Sequence, residues 1–105
     1  MSFLRMLFKR DQKDSETDVV SRRPVGRFRV EKTLRVLSRQ VLIGEVVEGL
    51  IYPGYKVKGR KASPIMGIER ERRKVDFAVT GDRVAIMLEH EIPCQEGEVL
   101  EVYQS

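Results

Sequence analysis

Apolar residues recur at every second position over Gly26–Val36, with Phe28, Val30, Leu34 and Val36 on one side and Arg27, Arg29, Glu31, Thr33 and Arg35 on the other. Side chains alternate between faces along a β-strand, so this pattern predicts a strand with one buried and one solvated face. Lys32 is the polar residue on the apolar side, which predicts a bulge or a strand end near it. Further strands are predicted over Gln40–Val47, Tyr55–Lys58, Ile65–Arg70, Arg73–Val79, Arg83–Glu89 and Glu98–Tyr103. Val75, Phe77 and Val79 fall on one face of the fifth, and Val84, Ile86 and Leu88 point inward on the sixth. Glu48-Gly49, Pro53-Gly54 and Gly81-Asp82 read as turns, Gly59–Pro64 as a basic loop and Pro93–Gly97 as another loop. Short strands punctuated this regularly predict an all-β domain, a small antiparallel barrel or sandwich, over residues 25–105.

Length and composition agree. The 105 residues suffice for one core, and no apolar run exceeds Val84–Leu88, far short of a membrane-spanning helix. Arg5, Lys9 and Arg10 interrupt the apolar residues of Met1–Arg10, so no secretory signal is expected and the predicted location is cytoplasmic. Cys94 is the single cysteine and His90 the single histidine, too few for an internal disulfide or a four-ligand zinc site. Asparagine is absent while Glu, Arg and Lys abound, a bias seen in proteins from hot environments.

Residues 1–24 read as a charged, flexible tail. Arg10–Arg23 has too few large apolar residues to offset its ordering entropy. Ahead of it, Phe3, Leu4, Met6, Leu7 and Phe8 sit among cations, as a loosely packed terminus or as a short amphipathic helix that meets a membrane, RNA or a partner. Charge is segregated along the chain. Residues 1–75 hold nineteen cations and nine carboxylates, net +10, whereas residues 76–105 hold one cation and seven carboxylates, net −6. Such polarity predicts a basic surface for a polyanion, unless the two charge sets interleave in space.

The chemistry of catalysis is not in evidence. There is no GxxxxGK[ST] loop for nucleotide hydrolysis, His90 between Glu89 and Glu91 reads as a solvated histidine, and Cys94 has no evident histidine partner to form a thiolate. Glu69 and Glu71 share a strand face but are embedded among Arg70, Arg72, Arg73 and Lys74, so neither is set up as a general acid. The sequence predicts no enzyme, cofactor or metal.

Glycine spacing carries further information. Gly44–Val46, Gly49, Gly54, Gly67–Glu69, Gly81–Val84 and Gly97–Leu100 reproduce a pattern that resembles the second domain of the translational GTPases, such as elongation factor Tu and its archaeal counterpart. The resemblance spans residues 26–103 and implies a six- or seven-stranded Greek-key barrel without the GTPase domain, like free-standing tRNA-binding versions found in some archaea. In that family the barrel holds the acceptor end of tRNA, its terminal adenosine lying in a shallow pocket with apolar walls and a glutamate. The resemblance places the glutamate on Glu69 and the walls on Val41 and Met87, with Glu71 and Arg83 toward the aminoacyl side. Leu37-Ser38-Arg39 replaces a small glycine-rich segment and is expected to narrow the pocket mouth.

Residues 54–75 carry eight cations and two carboxylates, net +6. Lys56, Lys58, Arg60 and Lys61, with Arg70, Arg72, Arg73 and Lys74, are therefore the candidate phosphate contacts of a basic barrel face, with Tyr52 or Tyr55 available to stack on bases. The leading expectation is an RNA-binding module for tRNA or another structured RNA. The alternatives are cations that merely solvate an edge strand, and an adaptor that docks on a ribosomal or translational protein.

Overall fold

The computed structural model describes residues 23–104, so most of the expected tail, and all of Met1–Arg10, lies outside the described residues. Eight strands follow in chain order: β1 (Gly26–Val36), β2 (Arg39–Ile51), β3 (Lys56–Lys58), β4 (Ala62–Arg70), β5 (Arg73–Val75), β6 (Ala78–Val79), β7 (Arg83–Leu88) and β8 (Val99–Tyr103). No helix occurs among the described residues, and hence none long and apolar enough to cross a membrane. Six strands pair antiparallel in the order β1-β8-β3-β4-β7-β2, and β1 pairs with β2 to close the barrel. Two short strands hang outside this ring, β5 on β4 and β6 on β2. The order is that of a Greek key, since sequence neighbours β2 and β3, and β7 and β8, do not pair.

The barrel interior is aliphatic with one ring. Phe28, Val30, Leu42, Val46, Ile51, Val57, Ile65, Ile68, Ile86, Leu88, Leu100 and Val102 are buried, one or more from each barrel strand. Val84, Ile86 and Leu88 face inward as expected.

Elsewhere the strands depart from the simple alternation. β1 and β2 change register between Val30 and Lys32, the bulge expected at that lysine. Beyond it β1 runs past the rim of the barrel, so Leu34 and Val36 are exposed rather than inward. Glu48-Gly49 is not a turn. β2 continues through it to Ile51, and Gly49 adopts φ +86° inside the strand. The carbonyl of Val25 presses so close that a Cβ at Gly49 would overlap it, which is why glycine is needed there. Gly44 meets the same constraint from the Arg29 carbonyl and the Phe28 ring.

The predicted strand over 73–79 is two strands. The chain leaves β4 after Val75 and joins β2 at Ala78, so it is Ala78 that is buried, while Phe77 and Val79 face solvent. The basic loop is shorter than predicted, because Ala62, Ser63 and Pro64 already pair with β3. Ser63 is fully buried and its hydroxyl accepts the His90 amide at 2.8 Å, pinning the end of β7 to β4.

Candidate nucleic-acid interface

On the outside of the barrel, β4 runs between β3 and β7 and continues into the β5 hairpin. A bulge between Ile65 and Gly67 turns two adjacent residues off the core. Met66 and Gly67 therefore line an external cavity with Glu69 of the same strand, Met87 and Ala85 of β7, Val41 of β2, Val36 of β1 and Lys74 of β5. Its volume is about 400 Å³, within the range of small-ligand sites. Val41, Glu69 and Met87, predicted from separate strands, are thus brought together. Val41 pairs with Met87 across β2–β7, and Gly67 pairs with Met87 across β4–β7.

The lining is mostly apolar, with Glu69 and Lys74 its charged members. Among the described residues Glu69 makes no ion pair or side-chain hydrogen bond. Arg70 and Arg83 are engaged elsewhere: Arg70 holds Asp82 at 3.2 Å and Arg83 holds Glu31 at 3.1 Å. Lys74, its β5 ladder partner, stands on the cavity rim. Leu37 and Ser38, expected to narrow the mouth, do not line the cavity; Val36 does. Arg83 and Glu71 lie instead in an adjoining open groove with Arg70, Arg72 and Asp82, which shares Glu69 and Ala85 with the cavity.

The candidate phosphate contacts form two clusters rather than one face. Lys56, Lys58, Arg60 and Lys61 occupy β3 and the turn that follows, at the Ala62 end of β4. Arg70, Arg72, Arg73 and Lys74 occupy the hairpin at its other end. Lys56 stands opposite Pro64 and Lys74 opposite Glu69, so the nearer members of the two clusters are five residues of strand apart, about 17 Å. The hairpin tip is strained, since Glu71 and Arg72 have φ of 56° and 68° in a two-residue turn that favours Asn-Gly.

Ion pairing sorts the cations. Arg27, Arg29 and Arg35 of β1 lie beside Glu48, Glu45 and Glu91 at 2.6 Å each. Among the described residues, Lys56, Lys58, Arg60, Lys61, Arg72, Arg73 and Lys74 have no carboxylate partner. So the arginines of β1 are offset locally, while the cations of β3 and, Arg70 apart, those of the β4–β5 hairpin are not. Sequence reasoning missed the pairing because Arg83 and Glu31 are 52 positions apart and meet only across the barrel wall.

No group of His, Cys, Asp or Glu side chains among the described residues is arranged to hold a metal. Burial pushes the Cys94 thiol above its ordinary range, with the nearby Glu98 adding to the effect.

The described residues thus form a closed β-barrel domain with two appended strands and an external cavity on its β4–β7 seam. The chain belongs to the family described as Elongation factor Tu domain 4, whose model matches residues 23–101. That family supplies the barrel anticipated from the glycine spacing, under a different domain number. Among solved structures, the chain is similar to the crystal structure of GDP-bound aIF5B from Aeropyrum pernix, with a TM-score of 0.68 and 24% identity. The similarity covers 95% of this chain and 18% of that one, so the shared part is a single domain of a much longer protein. Comparison with curated proteins finds no match.

Proposed function

We propose that this protein is an RNA-binding module of translation that takes the acceptor end of tRNA, with the terminal adenosine in the cavity between β4 and β7. The observation that carries this reading is the unpartnered Glu69 carboxylate in a mostly apolar lining. An exposed carboxylate beside four cations would weaken a site that bound phosphate alone. It is useful where it accepts hydrogen bonds from a ribose hydroxyl or a base edge, while Val41, Met87 and Met66 cover the base. The cations of the β4–β5 hairpin stand beside the cavity mouth and would hold the neighbouring phosphates. The absence of carboxylate partners for Arg72, Arg73 and Lys74 among the described residues further supports the reading, and membership of a translational GTPase barrel family supports the setting.

Glu69→Gln tests it. Loss of the charge-assisted bond is expected to weaken tRNA binding by about 1–2 kcal/mol, and the loss is expected to disappear on tRNA trimmed of its terminal adenosine. Equal or tighter binding of the variant to intact tRNA refutes the pocket, because removing a negative charge from a purely basic surface strengthens it.

One observation favours a protein-docking adaptor as the second reading. Leu37 is 91% exposed at φ 52° on the β1–β2 tip, next to exposed Leu34 and Val36. Substitution of Leu37 by Ser leaves tRNA affinity unchanged under the first reading and abolishes partner capture under the second.

A further inference from the structure

Five aromatic residues lie among the described residues, and the core uses only one of them fully, Phe28. Tyr103 is engaged on the barrel wall, its hydroxyl donating to Glu101 at 2.6 Å. The other three gather at the end of the barrel where β2 stops and β3 begins. The rings of Tyr52 and Tyr55 lie 5.4 Å apart, and those of Tyr52 and Phe77 lie 5.8 Å apart. Tyr55 packs on the core beneath, whereas Tyr52 is 39% and Phe77 47% exposed. Aromatic rings that merely closed the barrel end would be covered; two of these present themselves to solvent on a third that is anchored.

The cluster is held firmly. Gly54 N donates to Ile65 O at 2.7 Å and Ile65 N donates to Tyr55 O at 2.8 Å, which clamps the 52–55 turn against β4. Phe77 precedes Ala78, which is paired with Ile51 just before Tyr52. The clamped residue Ile65 immediately precedes Met66 of the cavity wall, and none of the three rings lines the cavity.

On the other side the rings lead directly into the first cationic cluster. Lys56 follows Tyr55, and Lys56 and Lys58 stand outward on β3, followed by Arg60 and Lys61. Outward side chains two residues apart on a strand repeat every 6.8 Å or so. That repeat suits successive phosphates of an extended single strand. Glu101, the carboxylate opposite Lys58 in the ladder, is already occupied by the Tyr103 hydroxyl and by Arg27 at 3.9 Å. Asp76, beside Phe77 in sequence, is exposed.

We infer that Tyr52, Tyr55 and Phe77 form a stacking platform for the bases of a single-stranded RNA segment whose backbone follows β3 from Lys56 toward Arg60. The inference rests on the RNA-binding reading but is independent of the adenosine cavity. Stacking on aromatic faces tolerates any base, so the platform reads strandedness rather than sequence, and bases already paired in a duplex cannot reach it.

The test uses the full chain, with fluorescence anisotropy on a labelled oligouridine of about ten nucleotides and on a hairpin duplex of similar length. Wild type is expected to prefer oligouridine. Tyr52→Leu and Phe77→Leu are each expected to weaken it about tenfold without changing the slope of log affinity against log salt. Lys58→Ala is expected to lower that slope by about 0.7. Tyr52→Phe, which keeps the ring, is expected to retain binding even if the leucine variant melts lower. A preference for the duplex, or leucine variants that bind as wild type, overturns the platform. So does equal loss in Tyr52→Phe and Tyr52→Leu. Binding of tRNA without binding of oligouridine overturns the platform alone, whereas binding of neither overturns the RNA reading with it.

Discussion

At Gly67 an added Cβ meets nothing within 4 Å, and the backbone is not in the left-handed region, yet the residue lines the cavity. Side chains at this position therefore intrude on the ligand's space rather than on the fold. Gly67→Val is expected to leave the thermal midpoint unchanged or slightly raised, since valine favours a strand, and to reduce binding of tRNA ending in adenosine at least tenfold. Melting and titration of the same variant separate the two effects. Cys94 gives a pH-dependent counterpart. Its thiol is pushed up chiefly by burial, so the thiolate is scarce at neutral pH, and alkylation is expected to stay slow until the pH passes the ordinary thiol range. Alkylation at neutral pH as fast as that of a free thiol contradicts this. Val41, Glu69 and Met87, which line the cavity, were legible only through the family resemblance, not through strand patterning. The partners of Arg70 and Arg83 were not, because salt bridges depend on which strands become neighbours, and period-two patterning is silent on that.

The β1–β2 ribbon shows how an element can be read correctly and still be placed wrongly. Strand propensity and alternation identified it, and Lys32 marked its bulge, but Leu34 and Val36 stand outside the core because the ribbon outruns the barrel it closes. Glu48-Gly49 read as a turn because glycine at a positive φ serves turns and bulges alike. Only the Val25 carbonyl, 24 residues earlier in sequence, decides between them. Residues 73–79 read as one strand because Val75, Phe77 and Val79 alternate, although the chain changes neighbours between Val75 and Ala78. Two substitutions probe the ribbon in opposite directions. Gly44→Ala would drive a methyl into the Arg29 carbonyl and is expected to cost about 3 kcal/mol or more, read from denaturant midpoints. Ser38→Gly relieves a residue held at φ 70° in the two-residue tip and is expected to stabilise by about 0.5–1 kcal/mol.

For the molecule as a whole, net charge overstated the basic surface and its segregation along the chain understated its geometry. The carboxylates beside β1 neutralise its arginines, while the cations of β3 and the β4–β5 hairpin stay clear of them at two ends of one strand. Both clusters are expected to contribute to tRNA binding through phosphate. Arg60→Ala, Lys61→Ala and Arg73→Ala are each expected to weaken binding and to lower the salt slope by about one unit. Weaker binding at an unchanged slope points to a folding defect instead, which thermal melting of the same variants detects.

The amide of Val25 donates to the carbonyl of Val102 at 2.7 Å, so the chain enters and leaves the barrel through adjoining doors. A domain with that geometry is a cassette. Its ends can be joined by a short linker and new ones opened at the exposed Pro53-Gly54 corner without crossing the core. The same closeness of entry and exit lets such a barrel be spliced between other domains while disturbing neither neighbour nor itself, a property suited to a fold found within a chain more than five times its size.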